Sequence, residues 1–138
     1  MNRWTLVAML SLAMTATLPQ ALHAQGKETC KLEGKLKSCE QRMRNLTSIT
    51  KSDAKGNVVQ WALTTPDRTR DASDAATMTG LTMMVLVPHS TAADRADAFT
   101  RIIRNADAGA DTSILLGDYR WKGIAAGRSF SVMAVRAR

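Results

Sequence analysis

The chain has 138 residues, a formal net charge of +7, eight glycines, three prolines and only two cysteines. This length suits one domain with a modest core, and the composition excludes a collagen-like, low-complexity or disulfide-dense chain. The charge is uneven, since residues 25–55 and 118–138 each carry a local +4 and residues 56–117 carry −2. The basic residues are therefore concentrated at the two ends of the chain.

The first 24 residues have the order of a secretory signal peptide. Arg3 supplies a positive start, residues 6–18 form an apolar run, Pro19 stops the helix, and Ala24 is the small residue before the expected cut. The run is shorter than the roughly 20 residues of a membrane span. We therefore expect cleavage near Ala24, one periplasmic or secreted domain over residues 25–138, and no stable membrane insertion afterwards. An uncleaved N-terminal anchor is the alternative.

Cys30 and Cys39 are the only cysteines, and in an exported protein two cysteines are expected to pair. The apolar spacing of residues 32–46 also fits a continuous helix. Nine residues of helix rise about 13.5 Å, whereas the Cα atoms of a disulfide lie at most about 7 Å apart, so this helix and a Cys30–Cys39 bond exclude each other. A turn near Gly34 and Lys35 predicts a disulfide hairpin. A loop followed by a short helix from Cys39 remains the alternative.

Metal and redox chemistry find little support in these residues. A structural zinc site needs four ligands, and the chain after Ala24 offers two cysteines and His89. Redox-active cysteines are usually separated by two residues rather than eight. The sequence therefore predicts a structural disulfide, with no metal and no cofactor.

Alternating apolar and polar residues over 43–50 and 58–63 surround the turn-rich segment Lys51–Asn57 and predict a β-hairpin. Residues 65–76 are polar and predict an exposed loop. The apolar run Met78–Val87, which Pro88 stops, predicts a strand that is buried on both faces at the centre of a sheet.

One helix follows, because Thr91 and Asp94 fit a capping box and an apolar stripe runs from Ala92 to Ala106 before Gly109. Residues 115–122 predict a strand with Leu115, Tyr119 and Trp121 on one face, and Tyr119 and Trp121 are expected to face the core. A loop over 123–128 and a strand over 130–135 complete the chain. Trp61 is also predicted to lie in the core.

These elements predict an α+β fold in a small single domain. Its antiparallel sheet has about five strands in the order β-β-β-α-β-β, with one helix packed on one face and an N-terminal disulfide loop.

His89, Ser90 and Asp94 could be interpreted as base, nucleophile and orienting carboxylate. Turn and capping chemistry explains the same three residues, and no nucleophile elbow, metal motif or phosphate-binding glycine loop occurs elsewhere. We therefore assign no catalytic residue. A small secreted hydrolase that uses His89 remains an alternative function.

The leading hypothesis is an exported, non-enzymatic binding protein, such as an inhibitor, an immunity-type protein or an envelope accessory factor. It would act through a basic surface on an acidic protein or an anionic envelope component, and export makes nucleic acid a poor candidate partner. A structural subunit of an envelope assembly is a further alternative, and the sequence does not predict an oligomeric state. The candidate contact residues are Lys31, Lys35, Lys37, Arg42, Arg44, Arg120, Lys122 and Arg128.

Overall fold

The computed structural model describes residues 27–138, so the predicted signal peptide over residues 1–24 and its cleavage site lie outside the described residues. Neither helix in this part of the chain is long and apolar enough to cross a membrane. The elements are β1 (Lys27–Glu33), β2 (Leu36–Met43), β3 (Leu46–Ser52), β4 (Val58–Thr65), α1 (Ala72–Leu86), α2 (Ala92–Asp107), β5 (Ile114–Leu116), β6 (Tyr119–Ala126) and β7 (Ser129–Arg136).

The seven strands form one antiparallel sheet in the order β1-β2-β3-β4-β7-β6-β5. Both helices pack on the same face, with α2 mainly against β6 and α1 against α2 and β4. The chain is α+β, but the prediction of a five-stranded sheet with one helix is wrong. Strands β1 and β2 and helix α1 account for most of the difference.

The core lies between the helices and strands β3, β4, β5, β6 and β7. Trp121 is fully buried, and its ring centroid lies 6.0 Å from that of Trp61 and 6.4 Å from that of Tyr119. Ile102 and Ala106 bring the apolar stripe of α2 onto this aromatic cluster. The prediction that the three aromatic side chains are core residues is confirmed.

The central strand predicted over Met78–Val87 is instead the second half of α1. The helix begins at Ala72, inside the segment predicted to be a loop, and only Ala75, Thr79 and Met83 are buried along it. Apolar residues continue around the helix, and Val85 is 73% exposed. Because the apolar residues do not keep to one face, the sequence shows no apolar repeat of 3.6 residues that would indicate a helix.

The cysteine segment is a hairpin of β1 and β2, and the predicted disulfide is confirmed. Cys30 and Cys39 are directly opposite each other with Cα atoms 4.1 Å apart. The connecting turn is Gly34–Lys35, where Gly34 has a φ of 63° that disfavours other residues. The alternative of a loop and a short helix from Cys39 is therefore wrong.

The strand predicted over residues 115–122 is divided by a turn at Gly117, which separates β5 from β6. Leu115 therefore faces away from the helices and is 66% exposed, whereas Tyr119 and Trp121 face them. Gly123 lies within β6 rather than in a loop, and the β6–β7 turn is Gly127–Arg128.

Helix α2 begins and ends as predicted. The Thr91 hydroxyl accepts a hydrogen bond from the Asp94 N–H at 3.1 Å, and the Asp94 carboxylate accepts one from the Thr91 N–H at 3.0 Å. The hydrogen bond from the Thr91 N–H contributes most to lowering the pKa of Asp94, so the carboxylate stays ionised at the positive end of the helix dipole. Gly109, with a φ of 64°, follows the helix end.

Asp71 is the N-cap residue of α1, and its carboxylate bonds to neighbouring elements rather than to the helix. This buried carboxylate accepts hydrogen bonds from Arg70 at 3.0 Å, from the Thr65 hydroxyl at 2.7 Å and from the Asn45 amide at 3.2 Å. The Arg70 bonds contribute most to holding the Asp71 pKa well below its usual value, followed by Thr65. One side chain therefore ties the β2–β3 turn, the end of β4 and the start of α1 together.

Candidate functional site

The sheet face opposite the helices, which we call the open face, has no helix of residues 27–138 packed on it. Period-two alternation sends every second residue of each strand to this face, and the cross-strand registers identify which ones. Six of them are basic: Lys27, Lys31, Arg42, Lys51, Arg120 and Lys122.

Four of these basic side chains lie together across β1, β2 and β3, where the open face forms a hollow of about 530 Å³ that we call the groove. Ser38 and Ile49 line its floor, and Ser38 is 6% exposed. The ionisable residues that line the groove are Lys27, Lys31, Glu33, Glu40, Arg42 and Lys51.

Like charges face each other in the groove. Lys27 on β1 is directly opposite Arg42 on β2, and Lys31 and Lys51 are the two cross-strand neighbours of Ser38. Directly opposed like charges destabilise a strand pair. The sheet therefore places positive charge where strand pairing alone would disfavour it.

Two carboxylates offset part of this charge. Glu33 lies 2.8 Å from the Lys51 amine and 3.1 Å from the Lys31 amine, and hydrogen bonds from Lys51 and then Lys31 lower the pKa of Glu33. Glu40 accepts a hydrogen bond from Arg42 Nε at 2.8 Å. With four cations against two carboxylates, the groove keeps a net positive charge at neutral pH.

The structure separates the predicted contact residues of the cysteine hairpin and the turn after it. Lys31 and Arg42 line the groove, Lys35 lies in the β1–β2 turn, and Lys37 faces the helix side of the sheet. Arg44 lies in the β2–β3 turn and donates a hydrogen bond to Asp74 at 3.2 Å.

The predicted contacts near the chain end lie elsewhere. Arg120 and Lys122 are on the open face of β6, three strand spacings or about 14 Å from β3. Lys122 pairs with Asp111, which lowers the pKa of that carboxyl. Arg128 lies in the β6–β7 turn, so these residues do not line the groove.

Sequence reasoning missed Lys27 and Lys51, which both line the groove. The position of Lys27 follows from the disulfide, because the strand register that pairs Cys30 with Cys39 also places Lys27 opposite Arg42. The sequence predicts that Lys51 lies in a turn, whereas β3 continues through it to Ser52.

The residues proposed for a hydrolase are not assembled into a catalytic arrangement. The Ser90 hydroxyl donates to the Val87 carbonyl at 2.7 Å, and Asp94 serves the capping box of α2. His89 is exposed in the α1–α2 connection, and no hydrogen bond joins it to either residue among those described. The three side chains act in the turn and the helix cap.

A cluster of possible metal ligands in residues 27–138 contains Glu28, Cys30 and Cys39, whose ligand atoms lie within 4.8 Å of one another. The two sulfur atoms are bonded to each other. A disulfide sulfur is not the thiolate that binds zinc or other soft metals, so the oxidised hairpin presents a single carboxylate here.

A second hollow of about 540 Å³ lies on the helix side, between the first turn of α1, the end of α2 and β7. Its lining is mainly apolar and includes Phe99, Ile103 and Phe130. Arg68 and Asp107 at its edge form an ion pair with each other. These two charges therefore neutralise each other, whereas the groove keeps a net positive charge.

The disulfide lies outside the core, because β1 contributes no buried side chain. We expect replacement of both Cys30 and Cys39 by serine to lower the free energy of unfolding by no more than about 2–3 kcal/mol, the value for closing a short loop. Amide hydrogen exchange should rise in β1 and stay unchanged in β4, β6 and β7. Reduced wild-type protein should give the same pattern, and faster exchange throughout the sheet would contradict this prediction.

No family model, curated protein or solved structure significantly matches this chain. The geometry and charge of the open face therefore provide the basis for a functional proposal.

Proposed function

We propose that this chain is an exported, non-enzymatic protein that binds an acidic protein partner in the groove. The observation that carries the proposal is the convergence of Lys27, Lys31, Arg42 and Lys51 over three neighbouring strands. A carboxylate-bearing segment placed between these side chains would relieve the repulsion between Lys27 and Arg42. Such charge complementarity mainly increases the association rate and the selectivity for acidic partners.

The shape of the groove supports an extended partner rather than a small molecule. The groove spans β1 to β3, about 10 Å across two strand spacings, and it runs along β1 from Lys27 to Glu33. Ion pairs within the groove hold Lys51 and Arg42 in place. Arg120 and Lys122 would extend the positive surface for a partner that reaches across the open face.

Export is the second part of the proposal. The signal-like order of residues 1–24 motivates it, and a disulfide is compatible with the oxidising compartments into which exported proteins pass. Anionic envelope lipid is a competing ligand for the same cations and is tested as such below.

The proposal is tested with a fluorescently labelled poly-glutamate peptide and fluorescence anisotropy. We expect binding that weakens as salt is added, because exposed ion pairs are screened. Replacing Lys27, Lys31 and Arg42 by glutamine should weaken binding about tenfold, since each exposed pair contributes roughly 0.2–1 kcal/mol.

The matched control replaces Lys55, Arg101 and Arg104 by glutamine, three basic residues outside the groove that are exposed. It removes the same charge, and binding should change less than about threefold. Equal losses in the two variants would contradict a groove-specific contact. Binding to vesicles of phosphatidylglycerol without binding to the peptide would contradict an acidic protein partner.

A further inference from the structure

Strand β1 forms one edge of the sheet and pairs with a single described strand, β2. Its seven residues pair with β2 in one continuous register, whereas the other edge strand, β5, has three residues. A long, regular edge strand is a template for pairing with another strand. Strand β1 is therefore the edge that can accept one.

The disulfide reveals which backbone groups of β1 point outward. Opposed residues in an antiparallel pair alternate between hydrogen-bonded pairs with Cα atoms about 5.5 Å apart and non-hydrogen-bonded pairs about 4.5 Å apart. The Cα atoms of Cys30 and Cys39 lie 4.1 Å apart, which identifies them as a non-hydrogen-bonded pair. The backbone N–H and C=O of Cys30 thus point away from β2, and by the period of two so do those of Leu32.

We infer that β1 pairs with β1 of a second copy of this chain, antiparallel, about a two-fold axis at Cys30. In this register Lys27 of one copy faces Glu33 of the other, twice, and Thr29 faces Lys31. The whole strand overlaps with itself, and the outward N–H and C=O of the two Cys30 residues bond to each other. Opposite charges that face each other stabilise a strand pair.

Charge selects this register over its neighbours. A shift of two residues that moves the two-fold axis to Thr29 places Lys27 of each copy opposite Lys31 of the other. A shift of two residues the other way moves the axis to Lys31 and places the two Lys31 residues opposite each other. Both place like charges directly opposite each other, and both shorten the overlap. The sequence of β1 is therefore self-complementary in one register.

Such a dimer has one sheet that continues through both copies, with the two grooves side by side on the same face. Leu32, which is 79% exposed on the other face, would lie at the new strand pair. This inference does not depend on the proposed ligand. Wild-type protein that binds the peptide but does not self-associate would overturn the inference alone. Wild-type protein that self-associates but does not bind the peptide would overturn the proposed function alone.

The first test is sedimentation of the protein purified after expression of the full chain. We expect a reversible monomer–dimer equilibrium, and a monomer at every concentration up to the high micromolar range would overturn the inference. Lys27→Glu should weaken the dimer about tenfold, because it creates two carboxylate pairs across the axis. Lys35→Glu, with the same charge change in the turn, should leave the dimer unchanged.

Leu32→Pro tests the backbone contact, because proline removes the outward N–H of Leu32 without removing a bond to β2. We expect dimerisation to be lost in this variant and kept in Leu32→Thr, which retains the N–H. Circular dichroism of both variants verifies the fold. Equal dimerisation of the two would contradict pairing through β1.

A cross-link tests the register. In Cys39→Ser the two free Cys30 residues would face each other about 5.5 Å apart, within disulfide range. Diamide, which accepts the two electrons and two protons of the thiols, should then give a covalent Cys30–Cys30 dimer. In Cys30→Ser the two Cys39 residues would lie about 14 Å apart across three strand spacings, so no such dimer is expected, and equal cross-linking would overturn the register.

Discussion

Replacement of Trp121 by alanine is expected to lower the free energy of unfolding by about 3–5 kcal/mol, the range for removing a buried tryptophan. Trp121 is fully buried, and it packs between Trp61 on β4 and Tyr119 on its own strand. Its indole N–H lies 3.4 Å from the Leu116 carbonyl, so the loss is mainly one of packing. The cavity would lie between α2 and the sheet.

Urea denaturation followed by circular dichroism measures this effect. The matched control is Arg120→Ala, one residue away on the open face, which should change the free energy of unfolding by less than about 0.5 kcal/mol. Trp121→Phe should recover part of the loss, because it retains an aromatic ring. A loss below about 1 kcal/mol for Trp121→Ala would show that Trp121 does not anchor the core.

The second large effect is expected for Gly123→Ala on β6, where α2 crosses the sheet. A Cβ atom at Gly123 would lie 2.8 Å from Ile102 Cγ2 and 3.0 Å from the Ile102 carbonyl oxygen. The carbonyl belongs to the helix backbone and cannot rotate away, so the helix must shift. Such overpacking costs about 1–3 kcal/mol, and Gly123→Val should cost more.

Replacement of Gly80 in α1 by alanine should instead stabilise the protein. A Cβ atom there meets nothing within 4 Å, and glycine within a helix is about 0.5–1 kcal/mol less favourable than alanine. We therefore expect Gly80→Ala to raise the thermal midpoint and Gly123→Ala to lower it, as measured by calorimetry. An unchanged or higher midpoint for Gly123→Ala would contradict the close approach of α2 to β6.

The elements that could be predicted are those whose determinants are local. Thr91 and Asp94 cap α2 through bonds within one turn, and the β3–β4 hairpin follows from alternation around a turn-rich loop. The disulfide followed from the expected export of the chain and from the distance that a helix would impose. Each of these features depends on a few neighbouring residues.

The remaining features depend on tertiary contacts. Helix α1 has no apolar stripe, because Val85 and Met84 are exposed although they are apolar. The helical periodicity therefore could not be recognised in the sequence. Gly123 resembles a loop glycine until α2 is placed above it. The groove needs the register of three strands, and that register brings in Lys27 and Lys51, which no local pattern marks.

The order of the sheet also has a consequence for how the chain reaches its native state. Every neighbouring strand pair except β4–β7 joins strands that follow each other in sequence. Strands β1 to β4 and the segment from α2 to β7 can therefore form as separate local units, and their joining requires the closure of the chain from Thr65 to Phe130. Non-local pairing is the slow event in the folding of small domains, so the pairing of β4 with β7 is expected to be the slow step. This strand pair joins the two halves of the molecule into one cooperative unit.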